Sequence, residues 1–260
     1  MLKIKKIFKN KYTIYIQEIL HYLISLKYIG DLYKCPFCKT NFKKFFSSGE
    51  NSEILEKYNV IGGGYIESSR CPRCYSNYRE RLIYLYLKKN HSEIFKTKKI
   101  LHVAPEKNLS KKLYKNKNYI TADLNSRFVD LNLDITNINI DNNSMDVIIC
   151  NHVLEHIPND ILAMKELYRI LKKNGFAILQ VPISLDIHNT IEDSTIVTED
   201  DRLLHFGQID HVRIYGRDYT DRLKSVGFLV DIINCSEIFD LNTINKYQLL
   251  EKEQIYLCKK

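Results

Sequence analysis

Four cysteines occur as two closely spaced pairs, Cys35 with Cys38 and Cys71 with Cys74. Two residues separate the thiols of each pair, so one tight turn can direct both sulfurs at a single ion at about 2.3 Å. Two such turns complete a tetrahedron with no open position, and the sequence therefore predicts a structural Zn²⁺ site rather than a hydrolytic one. The alternatives are a dithiol redox pair, which needs only one such motif, and four unrelated free thiols.

Side chains that could take a proton or bind a polar substrate are concentrated in the segment 205–223, where the candidates are His205, Asp210, His211 and Arg213. His211 follows Asp210 directly, so an imidazole that titrates near neutral pH could have a carboxylate beside it. His152 and His156 compete for the same role. We predict His211, Asp210 and His152 as catalytic residues, and the alternative is that these histidines only hydrogen-bond their own loops.

Three arginines could bind an anionic group. Arg79 and Arg81 follow the second cysteine pair, on a predicted helix that joins the cysteine segment to the rest of the chain. A solvated helix face is the interpretation we favour for both, since exposed arginines are usually no more than that. For Arg213, which lies close to Tyr215, an anion site and a structural ion pair both stay open.

An alternation of strands and helices from residue 98 onward predicts the frame that positions these groups. Apolar runs that suit buried strands are 100–103, 119–122, 147–150 and 176–181. Polar residues begin where these strands end, at the edge where open α/β sheets bind ligands. Asp123 ends the second strand, about 20 residues after the first strand-to-helix turn, where its carboxylate could accept hydrogen bonds from both ribose hydroxyls of an adenosine cofactor.

The helix that follows the run 147–150 has signals at both ends. Asn159 and Asp160 indicate its start. At its end, Lys172 would complement the carbonyl end of the helix dipole, and Gly175 would cap the helix in the left-handed conformation.

From about residue 98 to the C-terminus, the chain resembles the class I S-adenosylmethionine-dependent methyltransferases in the order and spacing of its motifs. These motifs are Asp123, Asp134 with Ile135, Asp146, the sequence NHVLEHI from residue 151, the helix end LYRILKKNG and the strand FAILQVP. The resemblance implies an α/β fold with a Rossmann-like seven-stranded sheet, in which the segments GFLVDIINC and QIYLCKK form the last two strands and one strand is reversed. It also implies S-adenosylmethionine as the cofactor.

The family's cofactor contacts carry over to matching positions. The resemblance implies that Asp123 holds the ribose, that Asp134 contacts the adenine amino group, and that the loop 151–155 lies beside the methionine part. The predicted cofactor-binding residues are Ala104, Glu106, Asp123, Leu124, Asp134, Ile135, Asn151 and His152.

One loop departs from the family pattern. After the first strand the family usually has three alternating glycines, which let the backbone approach the cofactor closely, but this chain has Ala104, Pro105 and Glu106. Ala104 is small enough to replace one glycine, and Glu106 could pair with the amino group of the cofactor. An altered binding mode and a domain that has lost the cofactor both stay open.

A subgroup of small bacterial methyltransferases is also similar to this chain, because it combines CPxC pairs, an APE-like loop and an HFGQxDHVR segment. That resemblance implies a surface-glycan or secondary-metabolite pathway, and hence O-methylation of a small molecule or glycan. The alternatives are an RNA methyltransferase guided by the zinc module and a non-catalytic binding protein that kept the fold.

The N-terminal region is predicted to be a basic amphipathic helix over 1–31, followed by a zinc-binding module with its connecting helix over 32–92 and a methyltransferase domain over 97–260. Lysines precede an apolar stretch within 1–29, so this helix could contact an anionic membrane peripherally. Polar residues interrupt the stretch and no cleavage site follows, which argues against export and membrane spanning. We expect a reducing, cytoplasmic location, and we attribute the net charge of +8 to biased composition rather than to a nucleic-acid partner.

Overall fold

A computed structural model describes residues 16–49 and 51–260, and the N-terminal part of this structure is built from short elements. They are helix α1 (16–26), strands β1 (Ile29–Lys34), β2 (Asn41–Phe42) and β3 (Phe46–Ser48), helix α2 (Glu53–Lys57), strands β4 (Val60–Ile61) and β5 (Ile66–Arg70), and helix α3 (Tyr78–Asn90). β1 pairs with β2 and β3 pairs with β5, both antiparallel. The two cysteine turns directly follow β1 and β5. Because two-stranded sheets of this size are marginal by themselves, other contacts must stabilise this part of the chain, residues 32–92, which is the predicted zinc module.

The rest of the chain alternates strands with helices. Its elements are β6 (Ile100–Val103), α4 (Lys107–Leu113), β7 (Tyr119–Asp123), β8 (Leu131–Asn132), β9 (Met145–Asn151), α5 (Asp160–Ile170), β10 (Leu171–Gln180), β11 (Ile183–Ser184), β12 (Ile191–Glu192), α6 (Glu199–Phe206), β13 (Arg213–Ile214), α7 (Tyr219–Ser225), β14 (Leu229–Asn234), α8 (Cys235–Ile238), α9 (Leu241–Tyr247) and β15 (Gln254–Lys259). Single 3₁₀ turns occur at Ser92–Phe95 and Leu154–His156.

One seven-stranded sheet, with the order β14-β15-β10-β9-β6-β7-β8, forms the centre of the fold. The pairs from β10 through β9, β6 and β7 to β8 are parallel. β15 runs antiparallel to both β10 and β14, so it is the reversed strand. The predicted α/β fold with a seven-stranded sheet and one reversed strand is therefore confirmed.

Both faces of this sheet are covered, as the β-branched run in β9 predicts. Ile148 and Cys150 point into a core that includes Met164 of α5. Val147 and Ile149 point into the opposite core, which includes Leu82 of α3 and side chains of the zinc module. Successive side chains of a strand point to opposite faces, so a strand buried on both sides needs apolar residues at every position.

The zinc module is joined to the sheet by a polar contact as well as by this core. Glu80 of α3 is buried, and its Oε1 accepts hydrogen bonds from the backbone amides of Asn108 at 2.7 Å and Leu109 at 2.8 Å. These amides belong to the first turn of α4, where a carboxylate satisfies unpaired donors and complements the helix dipole. A side chain of the module's connecting helix thus caps the helix that follows β6.

The predicted end of helix α5 is wrong. Asn159 caps its start, because its side chain accepts a hydrogen bond from the Leu162 amide at 3.0 Å. The helix ends at Ile170, and β10 begins directly at Leu171, which pairs with Met145 of β9. The left-handed residue is Asn174 with φ of 63°, not Gly175, and it lies within β10 where the register with β9 shifts between Leu171 and Phe176.

Glycine is nevertheless required at position 175 by a close backbone approach. A Cβ at this position would lie 2.9 Å from the carbonyl oxygens of Asp146 and Lys172. Lys172 forms an ion pair with Asp146 at 2.8 Å instead of complementing a helix end. Strand pairing of β10 with β9 therefore outweighs the local signals for a longer helix.

The described part of the N-terminal helix lies against the body of the protein. Glu18 forms ion pairs with Lys107 at 2.8 Å and Lys111 at 3.0 Å, and His21 stacks on Tyr75 with ring centroids 3.7 Å apart. Residues 1–15, with the lysines on which the predicted membrane contact depends, are outside the described residues. Among the residues that the structure describes, no helix has the length and apolar character to cross a membrane.

Candidate active site

Two strand ends at the predicted cofactor edge have the same unusual backbone. Ala104 follows β6 with φ of 46°, and His152 follows β9 with φ of 54°. Positive φ favours glycine, and residues held in this region are frequent at functional sites. Ala104 therefore has the backbone conformation that the glycine usually found in this loop of the family would adopt without strain.

Asp123 at the end of β7 has one carboxylate oxygen in use and one free. Its Oδ1 accepts hydrogen bonds from the amides of Asn125 at 2.8 Å and Ser126 at 2.7 Å. Within the described part of the chain, its Oδ2 accepts none. The neighbouring Leu124 is largely exposed. This arrangement leaves an acceptor available to the ribose hydroxyls of a nucleoside.

Glu106 and Asn151 are brought together across the ends of β6 and β9. Glu106 accepts hydrogen bonds from Asn151 Nδ2 at 2.9 Å and from His102 Nε2 at 2.6 Å. Burial opposes ionisation, but these two hydrogen bonds lower the pKa of Glu106 below its usual value. Asn151 Oδ1 is buried and has no partner among the described residues. A carboxylate and an unpaired amide oxygen are suitable acceptors for an ammonium group.

The predicted adenine contacts lie further along the same edge. Asp134 is exposed, and its Oδ1 accepts hydrogen bonds from the amide and the hydroxyl of Thr136 at 2.8 and 2.7 Å, which lower its pKa. Ile135 is buried in the core beneath it. The free acceptors at Asp123 and Asn151 and the open backbone at Ala104 fit an adenosine cofactor with an amino-acid tail.

The four motif cysteines form one compact cluster. The Sγ atoms of Cys35 and Cys74 are 3.5 Å apart, those of Cys38 and Cys71 are 3.8 Å apart, and all four lie within 4.8 Å of one another. A tetrahedral ion with bonds of about 2.3 Å requires sulfurs about 3.8 Å apart. The cluster therefore fits a Zn²⁺ ion with four thiolate ligands.

A cavity of about 520 Å³ lies between the zinc module and the segment that follows β10. Its lining includes Gly62, Gly63, Gly64, Arg70, Tyr78 and Arg79 from the module side, and His152, Glu155, His156, Pro182, Leu203, Gln208, Asp210 and His211 from the sheet side. The segment that carries the predicted catalytic residues Asp210 and His211 thus lies on one wall only. The sequence did not indicate that the glycine turn of the zinc module forms the other.

Gly62 allows the two walls to meet. It has a φ of 84°, and a Cβ there would lie 3.4 Å from the His152 ring and 3.5 Å from Pro182. The carbonyl of Gly62 accepts a hydrogen bond from Arg79 at 2.5 Å, and the same guanidinium nitrogen lies 3.0 Å from His152 Nδ1. Arg79 therefore links the module to the predicted catalytic residue His152, and the interpretation of Arg79 as part of a solvated helix face is wrong.

The predicted catalytic residues converge at the cavity but are paired differently than expected. Asp210 contacts His156, with Oδ2 3.3 Å from Nδ1, rather than its neighbour His211. The rings of His156 and His211 pack edge to face with centroids 4.8 Å apart. His152 Nδ1 lies 3.3 Å from Glu155 Oε1. We name these five residues the histidine cluster: His152, Glu155, His156, Asp210 and His211.

Burial dominates the electrostatics of this cluster. It lowers the pKa of His211 to about 4 and that of His152 well below its usual value, so both rings are neutral at pH 7. It also raises the pKa of Glu155 to about 8. The sequence places Glu155 in the loop 151–155 at the ligand edge but not among the predicted catalytic residues, although its position beside His156 after β9 is a usable signal for that role.

Arg213 and Tyr215 form structural contacts, as in the ion-pair alternative, rather than an anion site. Arg213 is buried, and it forms an ion pair with Glu192 at 2.8 Å and donates to the carbonyls of Leu154, Ile157 and Pro158. Tyr215 donates to Asp160 at 2.8 Å. These contacts hold the turn that presents Glu155 and His156, so Arg213 positions the histidine cluster without entering the cavity.

A buried carboxylate beside Gly62 predicts a pH-dependent stability. Glu253 is 3% exposed, its Oε2 has no partner among the described residues, and burial raises its pKa to about 7. Because the folded-state pKa is above the unfolded value, the charged form opposes folding at and above pH 7, and this cost disappears as the pH falls toward the unfolded pKa. We expect Glu253→Gln to increase the free energy of unfolding by about 2 to 3 kcal/mol at pH 8 and by much less at pH 5.

Urea denaturation at the two pH values measures this effect. The exposed neighbour Glu251 provides the matched control, because Glu251→Gln changes the same charge without relieving burial. A gain from Glu253→Gln that is equal at pH 5 and pH 8 would contradict the assignment.

A family model described as a methyltransferase domain matches residues 94–179, which include β6 to β9 and most of β10. Among solved structures, a SAM dependent methyltransferase from Archaeoglobus fulgidus is 13% identical, covers 70% of this chain and 96% of its own, and has a TM-score of 0.44. An S-adenosylmethionine dependent methyltransferase from Mesorhizobium loti is 10% identical, covers 69% and 98%, and has a TM-score of 0.45. A search of curated proteins gave no match.

These TM-scores are low, so the assignment depends on the family model rather than on the individual structures. The matched segment contains the strands and loops that carry Ala104, Asp123 and Asn151. Residues 94–179 match the methyltransferase domain family, so the chain carries a class I S-adenosylmethionine-dependent methyltransferase domain.

Proposed function

We propose that the protein methylates an oxygen atom of a small polar acceptor, either a free small molecule or the end of a surface glycan. The observation that carries this proposal is the cavity of about 520 Å³ at the histidine cluster. Pockets for small ligands typically have volumes of about 300 to 1,000 Å³. His152 lines this cavity and directly follows Asn151 of the cofactor edge, so an acceptor bound here would lie next to the cofactor.

The cofactor would be held along the carboxyl edge of β6, β7 and β9. In this proposal Asp123 accepts from the ribose hydroxyls, with Leu124 beside it, and Asp134 and Ile135 border the adenine. Glu106 and Asn151 accept from the amino group of the methionine part, next to the turn at Ala104 and to His152. When bound, S-adenosylmethionine supplies a methyl group whose bond to sulfur breaks with the electron pair left on sulfur.

The histidine cluster supplies the groups that would orient the acceptor. In-line methyl transfer depends largely on positioning, and a hydroxyl acceptor must also lose its proton. We propose that the predicted catalytic residues His211, Asp210 and His152 act here: His211 and His152 orient the acceptor hydroxyl, and the Asp210 carboxylate accepts its proton. Arg79 places the ring of His152 through its 3.0 Å contact with Nδ1.

The four cysteines would bind a structural Zn²⁺ ion. Their sulfurs fill a tetrahedron, so this ion would have no position for an acceptor. Its role in the proposal is to hold the turn of Gly62 to Gly64 and the start of α3 as one wall of the acceptor cavity.

We expect Asp123→Asn to weaken binding of S-adenosylhomocysteine about 10- to 100-fold. The amide keeps an oxygen for the amides of Asn125 and Ser126 but removes the charge and the second acceptor, and hydrogen bonds to charged groups contribute about 1.5 to 3 kcal/mol. Isothermal titration calorimetry measures the change. Asp141→Asn, at an exposed position away from this edge, is the control, and equal affinities for the two variants would exclude Asp123 from the site.

The proposed acceptor class is tested with S-adenosylmethionine that carries a labelled methyl group. The labelled products are separated into small-molecule, glycan and RNA fractions. The expected product is in the small-molecule or glycan fraction, and its formation is lost in His211→Ala and kept in His205→Ala. His205 is the matched control because it is exposed on α6 and hydrogen-bonds the Asp201 carbonyl at 2.8 Å. Label found only in RNA, with a steep dependence on salt, would overturn the proposal.

A further inference from the structure

We propose that Glu155, His156 and His211 bind a divalent transition-metal ion at the wall of the acceptor cavity, in a second site separate from the four cysteines. Each of these residues offers one ligand atom, and the three atoms lie within 4.8 Å of one another. Glu155 Oε1 and His156 Nε2 are 3.9 Å apart. An ion about 2.1 Å from each ligand requires ligand atoms about 3 to 3.5 Å apart, so small side-chain shifts would complete the site.

His156 is oriented as a metal ligand would be. Its Nδ1 lies 3.2 Å from the carbonyl oxygen of Asp210 and 3.3 Å from the Asp210 carboxylate. A proton on Nδ1 is therefore held by Asp210, which leaves the lone pair on Nε2, 3.9 Å from Glu155 Oε1. A carboxylate or carbonyl that fixes the far nitrogen of a histidine is the usual outer contact of a histidine metal ligand.

Glu155 has the unpaired oxygen that a cation would satisfy. It is 1% exposed, it lines the cavity, and its Oε2 is buried without a partner among the described residues. Arg79 is the nearby cation, but its guanidinium contacts His152 Nδ1, and no ion pair between Arg79 and Glu155 occurs in the described ranges. Burying a carboxylate without a partner is costly, and a bound ion removes that cost.

The ligand set indicates the kind of ion. Two imidazoles and one carboxylate suit zinc and its first-row neighbours, whereas Mg²⁺ and Ca²⁺ prefer sites made of oxygen ligands. Three protein ligands leave at least one coordination position open, in contrast to the cysteine cluster. If the proposed O-methylation holds, an ion here would favour the deprotonated form of an acceptor hydroxyl bound beside it, since a nearby cation stabilises an oxyanion.

Metal analysis of tag-free protein tests the site directly. After dialysis against Zn²⁺ and removal of free ion, the wild type is expected to retain one more zinc ion per chain than Glu155→Gln or His156→Ala. Cys71→Ser, in contrast, loses the ion of the cysteine cluster and keeps this one. His205→Ala is the matched control and is expected to retain both ions.

The isosteric Glu155→Gln variant keeps the test valid if His156→Ala folds poorly, and its thermal unfolding with and without Zn²⁺ gives a second readout. We use protein whose cysteine cluster already holds its zinc ion. We expect additional Zn²⁺ to raise the Tm of the wild type and to have no such effect on Glu155→Gln. Equal zinc contents and equal Tm shifts in wild type and Glu155→Gln would overturn the inference. Zinc content is measured without any acceptor, so this result is independent of whether the proposed acceptor class is correct.

Discussion

Cys71→Ser is expected to remove one metal ion and to unfold the zinc module while the seven-stranded sheet keeps its fold. Cys71 is fully buried, and its sulfur lies 3.8 Å from that of Cys38 on the other cysteine turn. Serine supplies no thiolate, so the ion loses a ligand that joins β5 to the turn after β1. Metal binding in small zinc modules contributes about 10 to 16 kcal/mol to folding, which is more than the short pairs β1–β2 and β3–β5 can replace.

The consequence for function follows from the position of the cavity. Gly62, Gly63, Gly64 and Arg79 form one wall of it, whereas Asp123 and Asn151 belong to the sheet. We therefore expect methyl transfer to fall about 100-fold or more, because misplacement of about 1 Å already has an effect of that size. Binding of S-adenosylhomocysteine, measured by calorimetry, is expected to remain detectable.

Cys235→Ser is the matched control for this prediction. Cys235 is also fully buried, but it lies at the start of α8, outside the cysteine cluster. This variant should keep the zinc content and the protease resistance of the module. If Cys71→Ser loses its zinc and the module stays resistant to limited proteolysis, the metal does not hold this wall of the cavity.

The parts of the fold that the sequence predicted are those determined by residues close together in the chain. The run 147–150 indicates a strand buried on both sides because each residue is apolar, and the two C-x-x-C turns indicate a metal cluster because each already brings two sulfurs together. The position of Asp123 at the carboxyl edge of the sheet is predictable because this residue ends a strand. In these cases local spacing determines the geometry.

The parts that could not be predicted depend on how distant segments pack. Asp210 and His211 are neighbours in sequence, but adjacent side chains point in different directions, and Asp210 contacts His156 from another loop. The wall formed by Gly62 and Arg79 exists only because the zinc module lies against the loop after β9. No pattern within residues 60–80 specifies that contact.

Arg81 shows that a residue important for stability can also be missed. The sequence around an arginine does not reveal whether its helix face is exposed or buried in a core. Arg81 is fully buried, so its interpretation as a solvated residue is wrong. Its guanidinium donates to the carbonyls of Ser69 at 2.9 Å, Ser76 at 2.6 Å, Tyr247 at 2.8 Å and Gln248 at 2.6 Å. These carbonyls belong to β5, to the second cysteine turn and to the end of α9, so one side chain joins the zinc module to the C-terminal part of the chain.

We expect Arg81→Met to lower the free energy of unfolding by about 4 kcal/mol or more. Methionine preserves much of the buried volume but leaves four carbonyl oxygens without their donor, and each buried acceptor that stays unpaired costs about 1 to 3 kcal/mol. The cation also lies close to the cysteine cluster and favours its thiolates, so zinc retention should decrease as well. Urea denaturation and zinc content after dialysis with a chelator measure the two effects.

Two variants separate this role of Arg81 from a general effect of charge. Arg127→Met removes an exposed arginine and should change stability by no more than about 0.5 kcal/mol. Arg81→Lys keeps the charge but cannot reach four carbonyls, because an ammonium has only three donors and no planar fork. We therefore expect a stability between those of wild type and Arg81→Met, and full stability in Arg81→Lys would mean that the charge beside the thiolates, rather than the four hydrogen bonds, holds the module in place.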